Sequence, residues 1–276
     1  MINAFYKKYQ KHFDVSENNF AHFVMWSCGG ICIGFVIGLV GIAFHLALEW
    51  ATEFRTAHPM LLWLLPFGGL AIVLAYRLAG QEKDRGTNFI LVAVRANEAV
   101  TLRTAPLIFF STVVTHLLGG SAGREGAALQ LGGSIASSFG RIFQLNEREG
   151  RIMTMCGMAA GFAALFGTPL TSVIFAMEVI TVGVMHYSAI VPCIISALVA
   201  AGLSQAVGIA PTTFSIAHIP ATVGLENCFR AAVLGVLCAV LSVLFCIVME
   251  HVGGAYRRIF KNPFVFSFSY VPANAF

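Results

Sequence analysis

GGSAGREGAALQLGG, residues Gly119 to Gly133, sets six glycines and an adjacent Arg124–Glu125 pair inside a chain otherwise sparing of charge. Neighbouring residues on a helix point to different faces, so these two charges make a poor intrahelical ion pair. The glycines ahead of them read as a turn, and AALQLGGSIASSF behind them reads as a helix. Glu125 then falls at a helix start, where several N–H groups lack partners and the dipole favours negative charge. Its small neighbours Gly123, Gly126 and Ala127 leave those N–H groups approachable, which is how a backbone anion site is made. A carboxylate tethered beside such a site competes with the anion, and protonating it removes the competitor and loads a proton. The plainer alternative is that Glu125 only caps its own helix while Arg124 snorkels away.

The rest of the chain says where this stretch lies. Of 276 residues, 58% are apolar and only 11% charged, and the mean hydropathy is +0.80. Soluble domains carry about 25% charged residues, so the composition is that of an integral membrane protein. Inside a bilayer an ionisable residue is costly unless it is compensated or used. The net charge of +4 is not gathered into one block, which argues against a nucleic-acid groove. Seven cysteines are scattered through apolar stretches, and Cys28 and Cys32 lack the partners of a zinc site; they read as soft packing residues. The opening MINAFYKKYQKHFDVSENN has no apolar core and does not read as a cleaved signal.

Spanning segments follow from uncharged runs. Phe20–Leu48 is the first, and Met60–Tyr76 the second, with a kink expected at Pro66. Thr104–Gly123 and Gly126–Gly140 flank the charged pair, and Ile152–Met177 runs up to Glu178. Val179–Leu225 is long and is expected to be interrupted at Pro192 and closed by a loop over Gly208–Gly224; Ala231–Met249 is the last span. Glycine and proline crowd the middle of the chain, as expected of helices that stop and start within the membrane where backbone lines a cavity. Gly30, Gly34 and Gly38 put a smooth stripe on the first span, read as internal helix packing rather than a dimer motif. Lys7, Lys8 and Lys11 precede the first span, and Arg77, Lys83 and Arg85 follow the second, with only Glu53 and Arg55 between the two spans. The positive-inside rule then places the N-terminus in the cytoplasm, with a short amphipathic surface helix over residues 3–17.

One rival reading is enzymatic. Gly119–Gly123 also fits G-x-S-x-G, which would make Ser121 the nucleophile of an intramembrane serine hydrolase. That chemistry needs a general base; His116 lies five residues upstream on the same segment, and no strand pattern precedes the motif. H-E-x-x-H, paired-Asp and phosphate-loop motifs are absent, so no metal and no cofactor are expected.

GREGAALQLGGSIA resembles the GREGP-type signature of the CLC chloride channel and transporter family. GMAAGFAALFGTPLTSVIFAMEV (Gly157–Val179) is similar to the stretch that follows it there, and GTNFI (Gly86–Ile90) stands where that family has its first anion-coordinating turn. The resemblance runs from about residue 20 to 262. It implies an all-α integral membrane fold of two inverted repeats, with broken half-helices meeting at a central anion site. Glu125 would be the gating glutamate and proton carrier. Gly123, Arg124, Gly126 and Ala127 would form one wall of the site, and Thr87 and Asn88 the coordinating turn. Members are homodimeric chloride channels or anion/proton exchangers, so the implied partners are a halide, protons and the lipid bilayer of the plasma membrane. Thr87, Asn88 and Ala127 depart from the usual serine, glycine and proline, and Val179 stands where exchangers carry an inner proton glutamate. GTPLTSVIFAMEV and HYSAIVPC resemble most the fluoride-exporting branch, with chloride next. By the same resemblance, residues 1–19 form the cytoplasmic segment, 20–224 the first repeat and 225–262 the first helix of the second. Residues 263–276 would then be a truncated or aberrant tail, and the chain one half of the machine, with a non-conducting fragment as the alternative.

Overall fold

The computed structural model describes residues 19–81, 100–180, 186–209 and 224–259. Among these the fold is entirely helical. Helix α1 (Asn19–Ala57) is 39 residues long, about 58 Å at 1.5 Å per residue, against a hydrocarbon core of about 30 Å. It therefore tilts steeply or projects beyond the core. It also continues nine residues past the uncharged run, through Glu49, Glu53 and Arg55, because an α-helix satisfies its own backbone whether the side chains are charged or not. A 3₁₀ segment (Pro59–Leu64) leads into α2 (Leu65–Leu78). The expected kink at Pro66 is instead a change of helix type just before it; Pro66 lies in the first turn of α2, where a missing N–H costs nothing.

Helix α3 (Thr104–Leu117) and helix α4 (Arg124–Ile142) are joined by the glycine turn. Helix α5 (Glu147–Phe166) starts at a reciprocal cap: Glu149 N–H donates to Asn146 Oδ1 and Asn146 N–H to Glu149 Oε2, both at 3.0 Å. It ends at Gly167, whose φ of +65° suits glycine. Helix α6 (Pro169–Glu178) then restarts with its proline in the first turn. Helix α7 (Ile190–Ala206) follows a short 3₁₀ turn (Tyr187–Ala189). Pro192 does not interrupt it: it sits in the first turn, where it has no intrahelical hydrogen bond to remove. Helix α8 (Leu225–Ile259) is apolar on all sides and exposed nearly throughout, the pattern of a lipid-facing or membrane-buried helix. The N-terminal surface helix and most of the Gly208–Gly224 loop lie outside the described residues.

The core centres on α5, which packs against α1, α4, α6 and α7. Small residues bring these helices close. Side chains on Gly30, Gly34 and Gly38 would meet Pro192 O at 2.9 Å, Ser196 O at 2.5 Å and Ala200 Cα at 3.1 Å, so the stripe is the α1–α7 seam, as expected. Gly132 and Gly157 meet carbonyl to Cα at the α4–α5 crossing, and a side chain on Gly161 would lie 2.7 Å from Ala128 O. Hydroxyls lock the seam with α7: Ser196 Oγ donates to Cys156 O at 3.0 Å and Ser204 Oγ to Ala164 O at 2.6 Å. Cys156 and Cys193 pack there as buried free thiols, while Cys28 and Cys32 are exposed. Phe44, fully buried on α1, rests against Phe109 of α3 with ring centroids 5.3 Å apart. At the far end of α1, Trp50, Phe54 and His58 stack along an exposed face, the make-up of an interfacial aromatic belt.

Candidate functional site

The turn between α3 and α4 is built by glycine. Gly120 N–H donates to Thr115 O at 2.8 Å and Gly119 N–H to His116 O at 3.1 Å, closing the end of α3. Gly119 takes φ +82°, a left-handed conformation that side chains resist. A side chain on Gly120 would fall 2.6 Å from Thr115 Cγ2. The chain then passes through Ser121 and Ala122 to Gly123, the N-cap of α4, which is extended at φ −77°, ψ 141° and offers no side-chain cap. Arg124 and Glu125 are the first two helical residues, and Gly126 and Ala127 complete the turn.

The Glu125 side chain is exposed and folds back over this helix start, with Oε2 2.8 Å from where a Gly123 side chain would begin. A carboxylate therefore stands at the uncapped N-terminus of α4, where the dipole amounts to about half a positive charge. Among the described residues Arg124 and Glu125 form no ion pair with each other, as their adjacency predicts. Arg124 is half-buried, and Ala127 is buried against the core. The structure thus brings Gly123, Arg124, Glu125, Gly126 and Ala127 together at one helix start. Thr87 and Asn88 lie outside the described residues. Glu178 ends α6 and is exposed.

Sequence reasoning assigned Arg55 to topology alone, yet it reaches the same turn. A side chain starting at Gly119 would meet Leu62 Cδ1 at 3.1 Å, Arg55 Cδ at 3.2 Å and Arg55 Nη1 at 3.9 Å. No local signal could have given this, because 64 residues separate the partners. The hydrolase reading gains nothing from the geometry. His116 Nδ1 is engaged with Thr112 O at 2.8 Å, and among the described residues no histidine bonds Ser121. Those residues also hold no cluster of three metal-ligating side chains.

Comparison with known proteins agrees with this architecture. The family model described as voltage gated chloride channel matches residues 67–271. A chloride/fluoride channel protein of Pseudomonas syringae pv. tomato is 36% identical over 82% of this chain and 50% of its own length. An H(+)/Cl(-) exchange transporter of Cronobacter sakazakii is 34% identical over 52% of this chain and 34% of its own. The crystal structure of a CLC-type fluoride/proton antiporter superposes with a TM-score of 0.82 at 30% identity, over 91% of this chain and 63% of that one. A cyanobacterial Cl−/H+ antiporter shares the fold at 21% identity and a TM-score of 0.73, over 88% of this chain and 60% of that one. The chain spans half or less of the length of these curated relatives. With the helical bundle, the glycine turn and Glu125 at a helix start all in place, the chain belongs to the voltage-gated chloride channel family.

Proposed function

We propose that this chain supplies the first membrane repeat, and the opening helix of the second, of a halide/proton antiporter gated by Glu125. The single observation that carries the reading is the Glu125 carboxylate folded over the uncapped start of α4. A halide and a carboxylate each bring one negative charge to the same unpaired N–H groups, so they compete. Protonation neutralises Glu125 and weakens its hold on the helix start. The anion then takes the N–H groups of the turn, and the carboxyl carries its proton to whichever side it next faces. Gly123, Arg124, Gly126 and Ala127 contribute backbone to one wall of this site, and Thr87 and Asn88 supply a second.

Fluoride is the preferred halide in this reading, with chloride next. The support is that the 36% identical relative is described as a chloride/fluoride channel protein and the 30% identical structure as a fluoride/proton antiporter. The protein acts as a transporter rather than an enzyme. It is multi-pass in the cell membrane with its N-terminus in the cytoplasm, and two copies associate with one pore each. The test is Glu125→Gln in a full-length protein containing this chain: proton coupling is lost while anion flux persists or changes its gating.

A further inference from the structure

We infer that Arg55, at the end of α1, is the guanidinium that concentrates monovalent anions at the mouth of the Glu125 site. The inference rests on the anion-transport reading above. Three observations converge on it. First, the Arg55 side chain is laid along the positive-φ turn that feeds α4: Cδ and Nη1 lie 3.2 and 3.9 Å from where a Gly119 side chain would start. A bare glycine at 119 is what lets the arginine approach. Second, the guanidinium is half-buried and has no ion-pair partner among the described residues. Glu53 sits two positions away and so on another face of the helix, and Glu49, six residues earlier, lies 3.9 Å from His45 rather than against Arg55. Third, the exposed aromatic run Trp50–Phe54–His58 gives this end of α1 the make-up of an interfacial belt, which would put the turn where an anion leaves water.

A basic residue in a helix's last turn is common, because the dipole favours it. That role does not require the side chain to reach across to another element's glycine turn, and it affects stability rather than anion dependence. A steering role does the reverse. A cation over a partly desolvated turn raises the local anion concentration, and removing one unit charge within a Debye length changes it by about three- to tenfold.

The experiment compares a full-length protein containing this chain with its Arg55→Gln, Arg55→Lys and Arg55→Cys variants in liposomes, following fluoride and chloride flux with ion-selective electrodes over a range of anion concentrations. Arg55→Gln is expected to raise the apparent KM about three- to tenfold at low ionic strength, with kcat within about twofold of the parent and the difference shrinking in high salt. Arg55→Lys keeps the charge and stays near the parent. On Arg55→Cys, a cationic methanethiosulfonate restores the low KM and an anionic one raises it further, each corrected for the parent treated alike. The cysteine arm compares one folded protein with itself, so it reads the charge even if Arg55→Gln folds poorly. An unchanged KM in Arg55→Gln, or the same response to both reagents, overturns the inference and leaves the role of Glu125 standing. Absence of halide flux from the full-length parent overturns the transport reading and this inference with it.

Discussion

Replacing Gly34 with alanine tests how the bundle is held together. A methyl group there would lie 2.5 Å from Ser196 O, 2.9 Å from Ser196 Cα and 3.0 Å from Val199 Cβ. Two of these atoms belong to the α7 backbone and cannot turn aside. Ordinary contact begins at about 3.4 Å, so α1 and α7 must part locally by about 0.9 Å. A gap of that size forfeits roughly a quarter to a half of each contact energy along the seam, and overpacking of this kind costs about 1–3 kcal/mol. Alanine's better helix propensity returns about 1 kcal/mol. The net expectation is a loss of about 0–2 kcal/mol, a Tm lower by up to roughly 6 °C. Gly202→Ala is the matched control, because Gly202 is on α7, exposed, with nothing within 4 Å. The same propensity gain acts there unopposed, so stability should rise by about 0.5–1 kcal/mol. Thermal unfolding of the purified chain in detergent reads both. A Gly34→Ala protein as stable as Gly202→Ala would refute the claim that glycines set the α1–α7 distance.

Other substitutions probe single features. Asn146→Ala removes the side chain that accepts from Glu149 N–H at the start of α5 and should cost about 1 kcal/mol in a chemical denaturation series, with Asn146→Ser close to the parent. Gly167→Ala places a side chain at φ +65° between α5 and α6; it should lose about 1–2 kcal/mol by the same measurement, and Gly167→Asn should lose less.

Much of this architecture was legible because uncharged runs in a bilayer must be helical, and because glycine and proline mark where such helices stop. The turn before Arg124 and the restart at Pro169 were readable on those grounds. Helix ends were less so. α1 runs on to Ala57 past three charged residues, since hydropathy reports what the lipid tolerates and not where the backbone ladder stops. Pro66 and Pro192 looked like interruptions, but each stands in a first turn, where proline removes no hydrogen bond. The glycine stripe on α1 was visible as a stripe, yet its partner on α7 lies more than 150 residues away in sequence, beyond any local pattern. Within the candidate site, the start of α4 at Arg124 followed from its own residues, whereas the fold of the Glu125 carboxylate over Gly123 and the reach of Arg55 depend on packing.

Simultaneous recording of proton and fluoride movement through Glu125→Gln tests the central claim most directly. The protein is a full-length form containing this chain, reconstituted in liposomes with a pH electrode and a fluoride electrode in one chamber, and the arm is repeated with chloride. The account predicts that proton movement coupled to the anion disappears while anion flux persists, because an amide can neither carry the proton nor compete as a charge for the start of α4. Proton coupling unaltered by the substitution would contradict it.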